Sequence, residues 1–362
     1  MNAITYIFSG GRGEKLSRED KIASDFFYGF LELKKDYEDT HFIELKNNET
    51  SFFDKLIIKV FKLPIYFNKF LSIKNFKILK SSEYIICINE TSYLTSLPLN
   101  IIFKLIYKKK VFFFPMGLVD KYLDGNFLSK LVITFSLRFS DKVFFIGKGE
   151  MQAAFKYMKK QSKKFEYIPF SVDTNFWKGE PSKTESIKNI LFIGNDKNRD
   201  YKLLNNLIKN NKQYDFTVIT SNNQFIVTED KNLFFTKGDW RTHILTDEDI
   251  LNEYRKADLV VLPIKNTTQP SGQSVALQAM ATNTPVMITK TEGFWDNDKF
   301  HDKKNIIFLT DNNLSSWSEC IKYYSEDISL LNSIAKNGKQ TVDEFNNIEK
   351  FSKYFKSLIV RN

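Results

Sequence analysis

The chain has 362 residues, of which 42% are hydrophobic and 27% are charged, and it carries a formal net charge of +10. This length accommodates two domains of ordinary size, and this hydrophobic content excludes a disordered protein. The two cysteines, Cys87 and Cys320, lie far apart inside apolar patterns, which favours a reduced protein without disulfides. Because the first residues reach a glycine turn without a signal peptide, we expect a cytoplasmic location.

The excess positive charge lies in one part of the chain. Residues 51–170 contain 21 Lys or Arg and 8 Asp or Glu, whereas residues 171–362 contain 25 of each. This asymmetry predicts an anionic partner for the first half only.

Twelve short apolar runs alternate with helical patterns of ten residues or more. Such alternation is typical of parallel sheets covered by helices on both sides, so we predict an α/β fold with two domains. A polar break at 171–187 separates a first domain, residues 1–170, from a second domain, residues 171–344. The first six predicted strands are Ile4–Phe8, His41–Leu45, Tyr84–Ile88, Val111–Phe114, Val143–Ile146 and Tyr167–Phe170. The second six are Asn189–Ile193, Phe216–Thr220, Leu233–Thr236, Leu259–Ile264, Pro285–Thr289 and Ile306–Leu309.

The first predicted strand ends in a glycine-rich turn, Ser9–Gly13. Gly10 and Gly11 allow the backbone to approach a ligand closely, and a plain tight turn is the alternative. The spacing is not the GxGxxG fingerprint of dinucleotide-binding domains, so we predict no dinucleotide cofactor.

Residues 55–80 form a basic and apolar segment with seven lysines and no acidic residue. Lysines that alternate with large apolar side chains suit the surface of an anionic bilayer. The residues expected at the membrane are Lys59, Lys62, Lys69 and Lys74, together with Phe61, Phe67 and Phe70. A solvated basic face is the alternative. No nucleic-acid partner is expected, because no helix-turn-helix, zinc or RNA-binding signature accompanies the lysines.

The seventh predicted strand is followed by Gly194, and then by Arg199 and Lys202 at the start of a helical pattern. The dipole at a helix N-terminus disfavours cations. Two cations there need another reason, which a bound phosphate supplies. Two ordinary surface cations are the alternative.

Residues 266–289 contain no Asp, Glu, Lys, Arg or His. They predict a buried helix that ends at Ala281 before a left-handed Asn283. The turn that opens this helix comprises Ser271 as the N-cap, Gly272, Gln273 and Ser274. Backbone N–H groups at such a turn favour an anion, and an ordinary core helix is the alternative.

Taken in order, these segments resemble a known family. The glycine-rich first loop, the linker Ile168–Phe176, the turn at 194–202, the Ser-Gly-Gln-Ser turn and the C-terminal helical tail succeed one another. Over its whole length the chain is similar to retaining GT-B glycosyltransferases, and in particular to glycosyltransferase family 4. The resemblance implies two Rossmann-like domains that face each other across a cleft. It also implies that a C-terminal helix, about residues 345–362, packs back on the first domain.

The resemblance implies an enzyme that binds a nucleotide-diphosphate sugar mainly on its second domain. Arg199 and Lys202 would act as the catalytic residues by holding the diphosphate, and Gln278 would contact the ribose. The other implied donor-binding residues are Gly10, Gly11, Gly194, Ser271, Gly272, Gln273 and Ser274. Retaining transfer in this family is pictured as same-face attack assisted by the leaving diphosphate, which needs no metal and no cofactor.

The chain departs from the family pattern at three positions. The family usually has two Glu residues eight apart around the Ser-Gly-Gln turn, but here they fall at Pro270 and Gln278. The His that often follows the fourth strand is replaced within Phe114–Gly117. We interpret these departures as features of a subgroup rather than of an inactive protein. Trp240 and His243 follow a second-domain strand, where we predict the nucleotide base to lie.

The combined prediction is a cytoplasmic glycosyltransferase, bound peripherally to the inner face of the cell membrane. It transfers a sugar from a nucleotide sugar to a lipid or lipid-linked acceptor. The alternatives are a soluble glycosyltransferase, a sugar-nucleotide epimerase of the same fold and a non-catalytic basic membrane-surface protein. An epimerase needs acid and base side chains in the cleft, and the missing Glu and His positions argue against it.

Overall fold

The computed structural model describes residues 3–17, 21–46, 49–179, 185–239 and 244–360. Within these ranges, twelve strands form two parallel sheets of six strands each. The strands of the first sheet are β1 (Ile4–Phe8), β2 (Thr40–Glu44), β3 (Tyr84–Ile88), β4 (Lys110–Phe114), β5 (Lys142–Phe145) and β6 (Phe165–Tyr167). The strands of the second sheet are β7 (Asn189–Ile193), β8 (Asp215–Ile219), β9 (Leu233–Thr236), β10 (Leu259–Leu262), β11 (Val286–Thr289) and β12 (Ile307–Leu309).

Helices connect these strands and cover the sheets. Those between β1 and β6 are α1 (Arg12–Leu16), α2 (Phe30–Asp36), α3 (Phe52–Phe61), α4 (Phe67–Phe70), α5 (Ile73–Ser81), α6 (Asn89–Leu105), α7 (Leu118–Asp124), α8 (Phe127–Ser136) and α9 (Lys148–Tyr157). Those after β7 are α10 (Tyr201–Asn210), α11 (Asp247–Lys256), α12 (Gln273–Ala281), α13 (Leu314–Glu326), α14 (Ile328–Phe345) and α15 (Ile348–Val360). None of the helices in the described ranges is both long and apolar enough to cross a membrane.

The strand orders identify both sheets as doubly wound. The first sheet has the order β2-β1-β3-β4-β5-β6, and the second has the order β9-β8-β7-β10-β11-β12. In such sheets the strand order reverses beside the first strand, and ligands bind at the carboxyl ends of the strands near that point. The predicted α/β fold with two Rossmann-like sheets is therefore confirmed.

Eleven of the twelve strand predictions agree with the structure to within two residues at either end. The sixth is misplaced: the prediction was Tyr167–Phe170, whereas β6 spans Phe165–Tyr167. Pro169 explains the difference, because proline has no backbone N–H to donate to a neighbouring strand. Ile168 and Phe170 are nevertheless buried, in the core that the first sheet shares with the linker.

Helix α15 packs against the first sheet, although it follows all strands of the second sheet. The ring of Phe355 is fully buried and makes edge contacts with the rings of Phe114 and Phe144. The hydroxyl of Tyr84, on β3, donates to the carbonyl of Ile359 over 2.7 Å. The last helix thus completes the hydrophobic core of the first half.

This packing predicts that Phe355→Ala lowers the free energy of unfolding by about 3–5 kcal/mol, as expected for a large aromatic residue removed from a core. Tyr354 is the matched control, because its side chain is half exposed on the same helix. Tyr354→Ala should change the free energy by no more than about 0.5 kcal/mol. Urea unfolding followed by circular dichroism measures both. Equal losses in the two variants would contradict the packing of α15.

Candidate functional site

A cavity of about 390 Å³ lies at the carboxyl ends of β7 and β8. Ile193 ends β7, Ile219 ends β8, and Ser274 belongs to the first turn of α12. Small-molecule sites occupy roughly 300–1,000 Å³ and favour this edge of a doubly wound sheet. The wall is made of Phe26, Trp177, Ile193, Gly194, Asn195, Asp196, Arg199, Ile219, Gly238, Asp239, Leu245, Asp247, Ile250, Ser274, Val275 and Gln278.

Arg199 is the buried cation of this cavity. The residue is only 3% exposed and also lines a neighbouring cavity of about 150 Å³. Its Nε lies 2.9 Å from Oδ2 of Asp196, but the two groups are not aligned as a hydrogen bond. Within the described part of the chain, Nε and Nη1 have no hydrogen-bond acceptor. Buried polar groups are almost always hydrogen-bonded, so these N–H groups indicate a site for an anion.

Two glycines leave the space that the Arg199 guanidinium occupies. A Cβ atom on Gly194 would lie 2.5 Å from Nε of Arg199, and a Cβ atom on Gly272 would lie 3.0 Å from Nη1. Gly272 also has a φ of 82°, in the left-handed region that favours glycine. The structure therefore brings together three residues that the sequence analysis selected from segments 78 positions apart along the chain.

The turn before α12 differs in one detail from its prediction. Ser271 is not the N-cap: Gly272 takes that position, and no side chain caps the helix. The Ser271 hydroxyl instead accepts a hydrogen bond of 2.8 Å from the Asn198 side chain, which ties the turn to the loop that carries Arg199. The predicted left-handed residue at the other end, Asn283, is confirmed by its φ of 65°.

The cavity of about 150 Å³ lies where the two halves of the chain meet. From the second half it is lined by Asp196, Arg199 and residues 269–274, and from the first half by Phe26, Tyr28, Met116, Ile146 and Phe170. The side-chain amide of Gln273 donates to the carbonyl of Ile146 over 3.0 Å. Predicted residues Ser271, Gly272, Gln273 and Ser274 thus all line one of the two cavities or both.

Several predicted site residues lie elsewhere. Lys202 is exposed on α10 and lines neither cavity, because its neighbours Tyr201 and Leu203 occupy the buried side of that helix. Gly10 and Gly11 adopt left-handed conformations with φ of 80° and 92°, but they also line neither cavity. Trp240 and His243, predicted near the nucleotide base, lie outside the described residues.

Gln278 lines the larger cavity, but both of its polar side-chain atoms have protein partners. Its Nε2 donates to Oδ2 of Asp25 over 2.7 Å, and its Oε1 accepts from the hydroxyl of Tyr254 over 3.0 Å. One N–H of Nε2 and one lone pair of Oε1 remain for the predicted ribose contact. In this structure Gln278 also joins the second half to the first.

Asp25 is a functional candidate that the sequence analysis missed. It is fully buried and accepts hydrogen bonds from Gln278, from Nε1 of Trp177 over 2.7 Å and from the backbone of Asp173 over 2.5 Å. Burial raises the pKa of Asp25 from 3.8 to about 7, because its effect exceeds the opposite effect of these hydrogen bonds. One acidic residue in a loop has no motif, so only the three-dimensional contacts reveal it.

Asn195 joins three loops around the larger cavity. Its Nδ2 donates to the carbonyl of Gly238 over 2.9 Å. Its Oδ1 accepts from the hydroxyl of Thr220 and from the backbone N–H of Ser221. These loops follow β7, β8 and β9, so a single amide side chain fixes the positions of much of the cavity wall.

Two buried carboxylates hold the turn after β4, where the sequence departs from the family pattern. Glu150 accepts from the backbone N–H groups of Gly117 and Leu118, and Glu90 accepts from that of Met116. Burial, followed by the charge of Glu90, raises the pKa of Glu150 to about 8. These contacts position Met116 in the wall of the smaller cavity. In the described ranges no three His, Cys, Asp or Glu side chains are grouped as metal ligands.

The basic segment 55–80 is only partly exposed, which corrects one of its predicted membrane residues, Phe70. Phe70 is fully buried, and Phe61 and Phe67 pack partly buried against the core of the first half. Lys59, Lys62 and Lys74 are exposed, as a solvent or membrane contact requires. Lys69 is half-buried, with its Nζ 5.1 Å from the centre of the Tyr66 ring. A pattern of mixed lysines and aromatics does not reveal which aromatic side chains face inward.

The buried carboxyl of Asp25 predicts a pH dependence of stability. The folded protein holds this proton up to about pH 7, whereas the unfolded chain releases it near pH 3.8. The unfolded state therefore binds fewer protons between those values, and this group makes the free energy of unfolding decrease as the pH rises. Asp25→Asn should make that decrease smaller. The substitution should also lower the free energy of unfolding by about 1–3 kcal/mol near pH 5. The new amide N–H₂ would face N–H donors that now bond to the Asp25 carboxyl group.

Urea unfolding at about pH 5 and about pH 8 measures this prediction, with Asp39→Asn as an exposed control in the same half. The control should keep the pH dependence of the original chain. An Asp25→Asn variant with an unchanged pH dependence would show that Asp25 is ionised throughout.

Comparison with solved structures identifies the fold. HepE from Anabaena in complex with UDP is 13% identical to this chain, with a TM-score of 0.70 and 100% of both chains covered. Sucrose-phosphate synthase from Thermosynechococcus elongatus is also 13% identical, with a TM-score of 0.70 over 100% of this chain and 99% of that chain. The apo form of the lipopolysaccharide outer core galactosyltransferase WaaB is 13% identical, with a TM-score of 0.61 over 99% of each chain. No protein-family model matches the sequence, and no curated protein does. The chain has the GT-B fold of these glycosyltransferase structures.

Proposed function

We propose that the chain is a glycosyltransferase that takes its sugar from a nucleotide-diphosphate sugar. The observation that carries this proposal is the buried Arg199, whose open N–H groups lie beside the N-terminal turn of α12. A guanidinium and a helix N-terminus both favour a diphosphate, and both stabilise the charge that develops on it as the sugar leaves. Structures of similar fold were solved with UDP and with UDP-glucose, which supports this class of donor.

The larger cavity suits the nucleoside part of the donor. Ile219, Leu245 and Ile250 provide an apolar wall for a planar base. Asp239 and Asp247 place carboxylates in the same cavity, and carboxylates accept hydrogen bonds from ribose hydroxyls. Arg199 lines both this cavity and the smaller one, so we place the diphosphate between them and the sugar in the smaller cavity.

We further propose transfer with retention. Inverting transfer requires a general base beside the accepting hydroxyl. Among the described residues that line the smaller cavity, Asp196 is the only carboxylate and no His is present. Asp196 lies 2.9 Å from the guanidinium of Arg199, so its carboxylate is engaged with a cation rather than open to an accepting hydroxyl. Same-face attack, with the departing diphosphate as the proton acceptor, needs only the positioning that Arg199 and the α12 turn provide.

The donor site predicts that UDP binds and raises the melting temperature, because a ligand that binds only the folded state stabilises it. Arg199→Gln should weaken UDP binding by about 2–3 kcal/mol, the scale of charge-assisted hydrogen bonds in a buried site. Lys202→Gln should weaken it by no more than about 0.5 kcal/mol, because Lys202 is exposed and lines neither cavity.

Isothermal titration with UDP and GDP measures these affinities. Lys209→Gln, on the exposed side of the same helix, controls for the loss of one positive charge. Failure of every nucleoside diphosphate to bind the unchanged chain would sink the proposal. A larger effect of Lys202→Gln than of Arg199→Gln would return Lys202 to the catalytic role that the sequence resemblance implied.

We propose that the first half also binds the surface of an anionic membrane, at the cytoplasmic face. Helices α3 and α8 lie side by side, and each exposes four apolar residues with the same spacing. On α3 these are Phe52, Phe53, Leu56 and Val60, and on α8 they are Phe127, Leu128, Leu131 and Phe135. Phe52 is 84% exposed and Phe127 is 74% exposed, which is unusual for aromatic residues of a water-soluble surface.

Basic residues adjoin this patch. Lys55 and Lys59 are exposed on α3, and Lys62 follows directly after it. Apolar side chains that enter the interface and lysines that contact anionic headgroups are the two components of peripheral binding. A membrane-bound first half would hold a lipid or lipid-linked acceptor beside the smaller cavity, while the second half supplies the donor.

The membrane proposal predicts that Phe52→Ser combined with Phe127→Ser weakens vesicle binding about tenfold or more, because each large apolar side chain contributes roughly 1.5–3 kcal/mol when buried. Ile226→Ser combined with Val227→Ser is the matched control, since both residues are exposed in the second half. Co-sedimentation with vesicles of phosphatidylcholine and phosphatidylglycerol measures binding, and UDP affinity should be the same in all variants. Equal sedimentation of the two double variants would show that the α3–α8 patch does not enter the membrane.

A further inference from the structure

A third cavity, of about 260 Å³, lies in the first half at the carboxyl ends of β1, β2 and β3. Its lining residues follow these strands or come from the connection after β2 and α3: Ser9, Leu45, Lys46, Tyr66, Lys69, Asn89 and Thr91. The order β2-β1-β3 means that the first sheet reverses its direction of winding at this place. In doubly wound sheets this is where ligands bind, so the first half has a candidate site of its own.

The charge in this cavity is positive. Lys46 and Lys69 line it, and none of the described residues that line it is Asp or Glu. The backbone N–H of Lys46 donates to the carbonyl of Lys69 over 3.1 Å, which fixes the two lysine-bearing segments side by side. Among the ion pairs of the described residues, none involves either lysine. Two neighbouring cations repel each other, and an anion between them removes that repulsion.

Uncharged donors complete the cavity. Asn89 donates through its Nδ2 to the hydroxyl oxygen of Ser9 over 2.9 Å, which leaves the Ser9 hydroxyl proton available to a ligand. Thr91 adds a second hydroxyl, and helix α6, of 17 residues, begins at Asn89. Lysine ammonium groups, hydroxyls and backbone N–H groups are the donors that phosphate oxygens accept from in proteins.

We propose that this cavity binds a phosphate group carried by the sugar acceptor. The proposal rests on the proposed glycosyltransferase function, and it restricts the acceptor to molecules with a phosphate. The same sheet edge carries Met116 after β4 and Ile146 after β5, which line the smaller cavity where the sugar is placed. Adjacent strands are about 4.8 Å apart, so the two sites are separated by roughly 10 Å. The phosphate is therefore distant from the hydroxyl that receives the sugar, rather than adjacent to it.

The test is a titration with inorganic phosphate at constant ionic strength, read as the rise in melting temperature while UDP saturates the donor site. Lys46→Gln combined with Lys69→Gln should require about tenfold more phosphate for the same rise, because two charge-assisted contacts are lost. Lys159→Gln combined with Lys160→Gln removes the same charge from exposed positions in the first half and should behave like the original chain. Lys46→Arg combined with Lys69→Arg keeps the charge and should retain the response.

An unchanged phosphate response in the Lys46→Gln and Lys69→Gln variant would overturn the proposal. Titration of hexose 6-phosphate and of short-chain phosphatidic acid distinguishes the source, since the better ligand identifies a saccharide phosphate or a lipid phosphate. Failure of the proposed glycosyltransferase function can be distinguished from failure of the phosphate site. If UDP does not bind, the titration is repeated without UDP in the Arg199→Gln variant, where a response that depends on Lys46 and Lys69 still demonstrates the phosphate site.

Discussion

The arrangement of the cleft depends on one buried cation, the guanidinium of Arg199. Removing such a group from water costs several kcal/mol unless partners replace the lost hydration, and the ion-pair partner of Arg199 among the described residues is Asp196. Gly194 and Gly272 provide the space, and the positive end of the α12 dipole adds to the positive potential. The Arg199 guanidinium and the N-terminus of α12 are both positive, so their proximity is unfavourable in the absence of an anion. The uncharged sequence around α12 is consistent with this, because a cation there would increase the repulsion and a carboxylate would occupy the anion's place.

The same wall of the cleft joins the two halves of the chain. Gln278 lines the larger cavity and donates to Asp25 of the first half, and Gln273 lines the smaller cavity and donates to Ile146. The residues of α12 that line the cavities are therefore also interface residues. A ligand that moves α12 changes the contact between the halves, and a shift of the halves changes the site. This coupling needs no further structural element, because α12 belongs both to the cavity wall and to the contact between the halves.

Much of the fold is predictable from sequence, because buried parallel strands are continuous apolar runs and few other structures produce twelve of them. The grouping of Gly194, Arg199 and Gly272 is predictable as well, since these are unusual residues at the ends of strands and helices. The role of Asp25 is not, because its partners are distant in sequence and none of them marks it. Phe70 shows a second limit: the segment around it is amphipathic, and sequence alone does not say which face is covered by the rest of the first half.

Helix α15 has a consequence for the order in which the protein folds during synthesis. The ribosome releases the first sheet early, but the helix that covers Phe114 and Phe144 leaves it after every other element. Until then these rings lack their native partner, Phe355, and the first half remains incomplete while the second half is made. The nascent chain therefore exposes an aromatic surface while the second sheet is made, and surface of this kind promotes aggregation. Completion of the first half therefore waits until α15 has been synthesised.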